Sequence, residues 1–168
     1  MGLDALGYGS AVAATVGDEG SGARAIENLI ARYAELVDAG DFGVLGEMFA
    51  DAVFGGEGDM VVQGRRAVEQ TFRAMVVLYD DGTPRTKHVT TNVQIEVDER
   101  AGTATARSYV MVLQALPELP LQPIVAGRYR DRFERRGGEW RFVERRFLTD
   151  LVGDVSRHLR GGAASLGG

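Results

Sequence analysis

The chain has 168 residues, of which 45% are hydrophobic and 26% are charged, the composition of one folded domain with a core of its own. A formal net charge of −5 argues against nucleic acid as a partner. The sequence contains no cysteine, which excludes disulfides, thiolate nucleophiles and cysteine-based zinc sites, and its two histidines are too few for a three-histidine metal centre.

Both ends of the chain are rich in glycine, and we expect them to be loosely packed. The predicted organisation is a flexible segment over 1–22, one folded domain over 23–150 and a tail over 151–168. The first segment lacks the basic start of a secretory signal, and no apolar run reaches the roughly 18 residues of a membrane span. We therefore expect a cytoplasmic protein that does not bind membranes.

A short helix is predicted in the tail on Leu151, Val155 and Leu159.

Three amphipathic helices are predicted in the first half of the domain. Apolar residues at helical spacing mark the first over 23–39, and Gly40 follows at the position of a left-handed cap. A second, shorter helix covers 42–49, with Asp41 as its N-cap. The third covers 64–79.

In the second half of the domain the apolar period changes from 3.6 to 2, which predicts an antiparallel meander of four long strands. Gly137-Gly138 marks the last hairpin. Because helices precede strands instead of alternating with them, the fold class is α+β. The predicted strands are 86–99, 103–115, 124–135 and 140–149, with a short strand over 52–54, a loop over 55–59, and a proline-rich loop over 117–123.

Part of the predicted sheet is apolar on both faces. Tyr109, Met111 and Leu113 point to one side of their strand, and Val110 and Val112 point to the other. Such a sheet needs a cover on each side. We expect the helices on one face and a second copy of the chain on the other, in a homodimer or homotrimer.

Two polar residues belong to the first predicted helix. Tyr33 lies on the apolar stripe, so its hydroxyl needs a partner unless it reaches the surface. Asp38 lies in the last turn, where the helix dipole disfavours a carboxylate, and Asp41 already caps the next helix. An inward Asp38 would have its pKa raised by burial and by the dipole, which suits proton transfer. The alternative is a solvated acid at the helix end.

His88 opens the first long strand and shares a predicted polar face with Thr90 and Asn92. A structural histidine is one interpretation; beside an inward Asp38 it forms an acid–base dyad. We interpret His158, in the tail, as a surface or interface residue.

Two arginines, Arg145 and Arg146, stand side by side on the last strand, so one of them faces inward and needs an acid or an anionic ligand. On the neighbouring strand, Tyr129 and Asp131 share a face with Phe133 and are secondary pocket candidates. Asp131 is equally suited to pair with the surrounding arginines.

These elements together resemble the SnoaL-like branch of the nuclear transport factor 2-like superfamily over about residues 23–150. The resemblance is carried by AIENLIARYAELVDAGDFGVLGEMFADAVF, RTKHVTTN and GRYRDRFERRGGEWRFVERR. It is strongest to the scytalone dehydratase, hexachlorocyclohexane dehydrochlorinase and bile-acid dehydratase enzymes. It implies a cystatin-like α+β cone, three N-terminal helices packed on a strongly curved antiparallel sheet.

The resemblance also implies a proton-transfer reaction that uses neither a cofactor nor a metal. Asp38 would polarise His88, which abstracts a proton, while Tyr33 donates to a leaving oxygen or holds a carbonyl. Arg145 would stabilise negative charge or pair with Asp38. The second active-site histidine of scytalone dehydratase has no evident counterpart, and the dehydrochlorinase has lysine where this chain has Tyr33.

The implied enzyme is a dehydratase, isomerase or cyclase for a hydrophobic, ring-bearing metabolite, as in polyketide or other secondary metabolism. Two alternatives stay open: an epoxide-opening hydrolase or cyclase that uses Asp131 as a second acid, and a non-catalytic module that carries a ligand or builds an oligomer, like a dioxygenase β subunit. The candidate substrate-binding residues are Phe42, Phe49, Phe72, Met75, Asn92, Tyr109, Met111, Tyr129 and Asp131.

Overall fold

The computed structural model describes residues 21–56 and 61–166. Most of the predicted N-terminal segment, through residue 20, and residues 57–59 of the predicted loop lie outside these ranges. The three predicted helices are present as α1 (Ser21–Ala39), α2 (Phe42–Met48) and α3 (Arg65–Met75). The third ends earlier than predicted because Val76 has an extended backbone and forms a bridge with Leu159 of the tail. Within the described ranges, no helix has the length and apolarity to cross a bilayer.

Six strands form one sheet in the order β2-β1-β6-β5-β4-β3. Gly137 and Gly138 join the last two strands with φ values of 57° and 87°, the left-handed backbone that a tight hairpin requires. The strands are β1 (Val53–Gly55), β2 (Val61–Gln63), β3 (Thr86–Asp98), β4 (Thr103–Leu116), β5 (Leu119–Arg136) and β6 (Glu139–Val152).

Three features of the sheet differ from the prediction, the first being strand β2, which lies outside every predicted strand. The proline-rich segment is not a loop, because β5 begins at Leu119 and a register shift beside Pro123 accommodates the missing N–H. The sheet is also mixed, since β1 pairs with β6 in parallel while the other pairings are antiparallel. A parallel pair needs a long connection, which the chain between β1 and β6 supplies. The curved α+β architecture is as predicted.

The helices cover one face of the sheet. Helix α1 packs against β3 and β6, and α2 packs against α3. Aromatic rings fill much of the interior: Phe42 lies 5.5 Å from Phe72, and Phe49 lies 5.0 Å from Phe142, measured between ring centroids. The contact of α1 with β3 places the end of α1 over the start of that strand.

The other face of the sheet carries an apolar row. Val89 pairs with Met111, Met111 with Ala126, and Ala126 with Leu151, so the four side chains cross four strands. Leu151 is 70% exposed, and Tyr109, next to Met111 on the same face, is 55% exposed. We call this surface the outer apolar row.

The tail forms no helix on Leu151, Val155 and Leu159, contrary to the prediction. Strand β6 continues through Leu151, which is exposed, while Val155 and Leu159 are buried in the core. The helical turn of the tail lies further on, a 3-10 helix over Gly162–Leu166. The tail therefore packs on the domain instead of leaving it.

Candidate functional site

The end of helix α1 sets the position of Asp38. The N–H of Gly40 bonds to the carbonyl of Val37 and that of Asp41 to the carbonyl of Leu36, both at 3.0 Å, which is a Schellman motif. Gly40 has a φ of 70°, and a Cβ there would meet the carbonyl oxygen of Gly82. The glycine thus lets the chain turn sharply just beyond Asp38.

Asp38 contacts His88 and its strand through three hydrogen bonds at the start of β3. The His88 Nδ1 atom lies 2.6 Å from Asp38 Oδ1, and the backbone N–H of His88 donates to Oδ2 at 2.9 Å. The hydroxyl of Thr86 also donates to Oδ1, at 2.9 Å. Both side chains of the pair are only 8% exposed. The structure therefore brings Asp38 and His88 together in a nearly dry environment.

The pKa of Asp38 is lower than usual, not raised as the sequence suggested. Burial favours the neutral acid, but the hydrogen bonds and charge of His88, together with Thr86, outweigh it. An ionised carboxylate only accepts hydrogen bonds, so Nδ1 of His88 carries a proton. In the neutral imidazole this leaves the lone pair on Nε2.

His88 lines a cavity of about 420 Å³ between the helices and the inner face of the sheet. His88 on β3 pairs with Val112 on β4, and Val112 pairs with Val125 on β5. All three residues line the cavity. No Lys, Arg, Asp or Glu among the described residues lines it. The cavity is suited to an apolar ligand, with a few polar groups to orient it.

Tyr33 and Tyr129 form a polar patch on the cavity wall. Their rings meet edge to face, 5.7 Å apart, and both are at most 4% exposed. Burial raises the pKa of Tyr33 well above its usual value, and Tyr129 raises it further. Burial also raises the pKa of Tyr129. Both phenols stay protonated at neutral pH, and the side-chain hydrogen bond between them uses one of the two O–H groups, which leaves one as a donor.

Arg145, not Arg146, faces inward, and it pairs with Asp131 instead of Asp38. Two parallel hydrogen bonds of 2.9 and 2.7 Å join them, and both side chains are fully buried. The guanidinium carbon lies 4.2 Å from the ring centroid of Tyr33 and 4.0 Å from that of Tyr129. Arg145 and Asp131 do not line the cavity. The Arg145 guanidinium packs on the two tyrosine rings on the side away from the cavity.

Of the nine candidate substrate-binding residues, Phe72, Met75 and Tyr129 line the cavity. Phe42 and Phe49 do not, because both are fully buried in the aromatic packing around α2.

Three further candidates point away from the cavity. Tyr109 and Met111 belong to the outer face, since the inward positions of β4 are taken by the alternate residues, including Val110. Asn92 is exposed at an irregularity of β3, where its φ of 51° breaks the alternation that would have placed it beside His88.

His158 is the main residue that the sequence interpretation missed. It is buried and lines the cavity, so it is neither a surface nor an interface residue. The tail reaches this position by pairing with the end of α3: the N–H of Val77 donates to the carbonyl of His158, and that of Arg160 to the carbonyl of Met75, both at 2.9 Å. The only feature of the sequence that indicated a packed tail was the apolar pair Val155 and Leu159. Other unpredicted lining residues include Val37, Phe54, Thr71, Val76, Phe147 and Leu166.

In the described ranges, no group of three or more His, Cys, Asp or Glu side chains is arranged to hold a metal ion. The titratable side chains at the cavity are His88, His158, Tyr33 and Tyr129, and Asp38 contacts His88 from behind.

The family model of the SnoaL-like domain matches residues 21–146, about three quarters of the chain. The chain belongs to the SnoaL-like family. The match spans Tyr33, Asp38, His88 and Arg145 and stops short of the tail that carries His158. No curated protein matches the chain.

Solved structures share this SnoaL-like fold. A Mycobacterium tuberculosis protein of unknown function, a single-residue variant of Rv3472, is 25% identical with a TM-score of 0.69, covering 87% of this chain and 86% of its own. A nuclear transport factor 2-like protein with a cystatin-like fold from Novosphingobium aromaticivorans is 29% identical, with a TM-score of 0.64 and coverages of 82% and 86%. The hexachlorocyclohexane dehydrochlorinase LinA-type3 of Novosphingobium barchaimii is 23% identical, with a TM-score of 0.64 and coverages of 81% and 91%.

Proposed function

We propose that this SnoaL-like protein is a cofactor-independent acid–base enzyme, a dehydratase, isomerase or cyclase, that acts on a hydrophobic small molecule. The observation that carries the proposal is the 2.6 Å contact between Asp38 and His88 at the wall of an apolar cavity. The fold alone does not decide function, because one architecture hosts many activities. The resemblance to dehydratases and a dehydrochlorinase supports an elimination or a related proton transfer.

In the proposed reaction, Asp38 holds the imidazole of His88 with Nδ1 protonated, and Nε2 takes a proton from the carbon next to a substrate carbonyl. The electron pair of that C–H bond forms an enolate. The Tyr33 phenol, supported by Tyr129, donates a hydrogen bond to the enolate oxygen or a proton to the departing group. A buried, apolar site strengthens these interactions because little water competes for them.

Arg145 has a different role from the one that the resemblance implied. Since it is covered by the tyrosine rings and bonded to Asp131, it does not reach a substrate in the cavity. We propose that it is a positioning residue that holds Tyr33 and Tyr129 in place.

The two alternative functions receive less support. Epoxide opening would need Asp131 to activate water, but both of its carboxylate oxygens bond to Arg145 away from the cavity. A module that only builds an oligomer is favoured by an exposed Asp38 or a filled pocket, whereas Asp38 is buried and the cavity is about 420 Å³. A ligand carrier would also use the cavity, but it has no need for the 2.6 Å contact between Asp38 and His88. We therefore retain the acid–base enzyme.

The test uses 3-hydroxy-1-tetralone, a neutral bicyclic ketone that loses water to give fluorescent 1-naphthol. We expect the wild type to accelerate this loss, and His88→Gln and Asp38→Asn to slow it by about 100-fold or more. Asp80→Asn, an exposed carboxylate outside the site, is the matched control and should match the wild type. Equal rates in the wild type and in His88→Gln would contradict the proposal.

A further inference from the structure

We propose that the imidazole of His158 is a second polar contact for the substrate, forming a hydrogen bond with a hydroxyl or carbonyl group of an uncharged, ring-bearing molecule. The inference rests on the proposed function, because it assigns the ligand of the same cavity. It adds a residue that lies beyond the segment matched by the family model.

Main-chain hydrogen bonds of this part of the tail, together with the buried side chains of Val155 and Leu159, hold it in place. The carbonyl of His158 accepts from Val77, and the carbonyl of the preceding Arg157 accepts from the Tyr79 hydroxyl at 2.7 Å. The side-chain amide of Gln114 also donates to the Arg157 carbonyl, at 3.3 Å. These bonds use main-chain atoms of the tail. The fold therefore does not need the His158 imidazole to fix its position.

The fold also leaves that imidazole without a full set of partners. His158 is 6% exposed, and its Nδ1 atom is buried without a hydrogen-bond partner among the described residues. Burying an unpaired polar atom costs free energy, and an aliphatic side chain at the same place would avoid that cost. A histidine that lines a cavity and is not explained by folding is a candidate for ligand binding.

The titratable groups that act on His158 are those of the dyad. Burial and, to a smaller extent, the charge of His88 lower the pKa of His158, and Asp38 partly opposes them, so that the net pKa is about 4. At neutral pH the imidazole is therefore uncharged, with one nitrogen that donates and one that accepts. It is suited to orient a neutral oxygen group and not to bind an anion.

The cavity lining points to the same class of ligand. A charged substrate would find no opposite charge among the described lining residues, and burial of an unpaired charge is unfavourable. The hydroxyl of Thr71 is already bonded to the carbonyl of Ala67 at 2.8 Å. The polar side chains left for a ligand among the described lining residues are His88, His158, the tyrosine pair and Ser165. We infer an uncharged molecule with apolar rings and at least two oxygen groups.

The test compares the binding of 2-naphthol, naphthalene and 2-naphthoate by calorimetry at pH 7. The wild type is expected to bind 2-naphthol about tenfold more tightly than His158→Leu does, the loss of one hydrogen bond. Naphthalene should bind equally to both proteins, and 2-naphthoate should bind to neither. His158→Gln, which retains a polar group, should recover part of the affinity. Arg157→Gln, an exposed neighbour in the same tail, is the matched control.

A thermal melt at pH 7 separates a binding role from a structural one. If His158 serves the ligand and not the fold, His158→Leu should melt no lower than the wild type. Equal affinity of 2-naphthol for wild type and His158→Leu, no binding of 2-naphthol by the wild type, or a lower melting temperature for His158→Leu would overturn the inference. Binding needs no chemical step, so these results test the role of His158 alone. The proposed function fails separately, if the His88 and Asp38 variants keep their turnover.

Discussion

The guanidinium of Arg145 forms two parallel hydrogen bonds to the carboxylate of Asp131, at a point where neither side chain touches solvent. The pair lies between strands β5 and β6, directly behind the ring of Tyr33. A buried ion pair contributes little net stability compared with an apolar pair, yet the removal of one partner leaves an uncompensated charge.

The first prediction follows from that asymmetry. Arg145→Met should lower the free energy of unfolding by about 3–5 kcal/mol, and Asp131→Leu by a similar amount. The double variant should be more stable than either single variant because it leaves no unpaired charge. Urea unfolding at pH 7 measures all four proteins. Additive losses in the double variant would show that the two residues do not act as a pair.

The second prediction concerns the pH dependence of stability. The pKa of His158 falls from 6.5 to about 4 on folding, so the unfolded chain binds a proton in this range and the folded chain does not. Stability should therefore decrease as the pH falls from 6.5 towards 4. At about pH 5 this effect amounts to about 2 kcal/mol.

His158→Leu removes that contribution, so its unfolding free energy should change less between pH 8 and pH 5 than that of the wild type. Urea unfolding at the two pH values measures the difference. NMR of the protein labelled with ¹⁵N-histidine measures the pKa of the His158 imidazole directly, since the chain has only two histidines to assign. Protonation of the His158 imidazole near pH 6.5 would refute the prediction.

The third prediction concerns the outer apolar row. A second copy of the chain remains the expected cover for this face, because Tyr109, Met111 and Leu151 leave large apolar surfaces exposed. Met111→Lys should convert a dimer or trimer into a monomer in light-scattering measurements. Thr105→Lys, also exposed on β4 but away from the row, should leave the oligomer intact. A monomeric wild type would contradict the prediction.

The helices and most strand boundaries were predictable because their signals are local. The apolar spacing of α1 and the glycine after it define the helix and its end without reference to the rest of the chain. The same local features placed Asp38 where it could turn inward. Contact with His88 could not be deduced from spacing, since it depends on how α1 packs over β3.

The face of a strand was harder to predict where both faces are apolar. In β4, Tyr109 and Met111 are as apolar as Val110 and Val112, so alternation alone could not decide which pair faces the helices. The pairing of His88 with Val112 decides it in the structure. The position of His158 was missed for a related reason, because the tail pairs with the end of α3 across a long stretch of chain.

The central claim is that Asp38 holds His88 as the base that removes a proton from carbon. Deuterium incorporation at C2 of 1-tetralone in D₂O tests it most directly, because that ketone has no leaving group and reports proton abstraction alone. We predict that the wild type catalyses the exchange and that His88→Gln and Asp38→Asn each slow it by about 100-fold or more while remaining folded. Exchange at the wild-type rate in either folded variant would contradict the account.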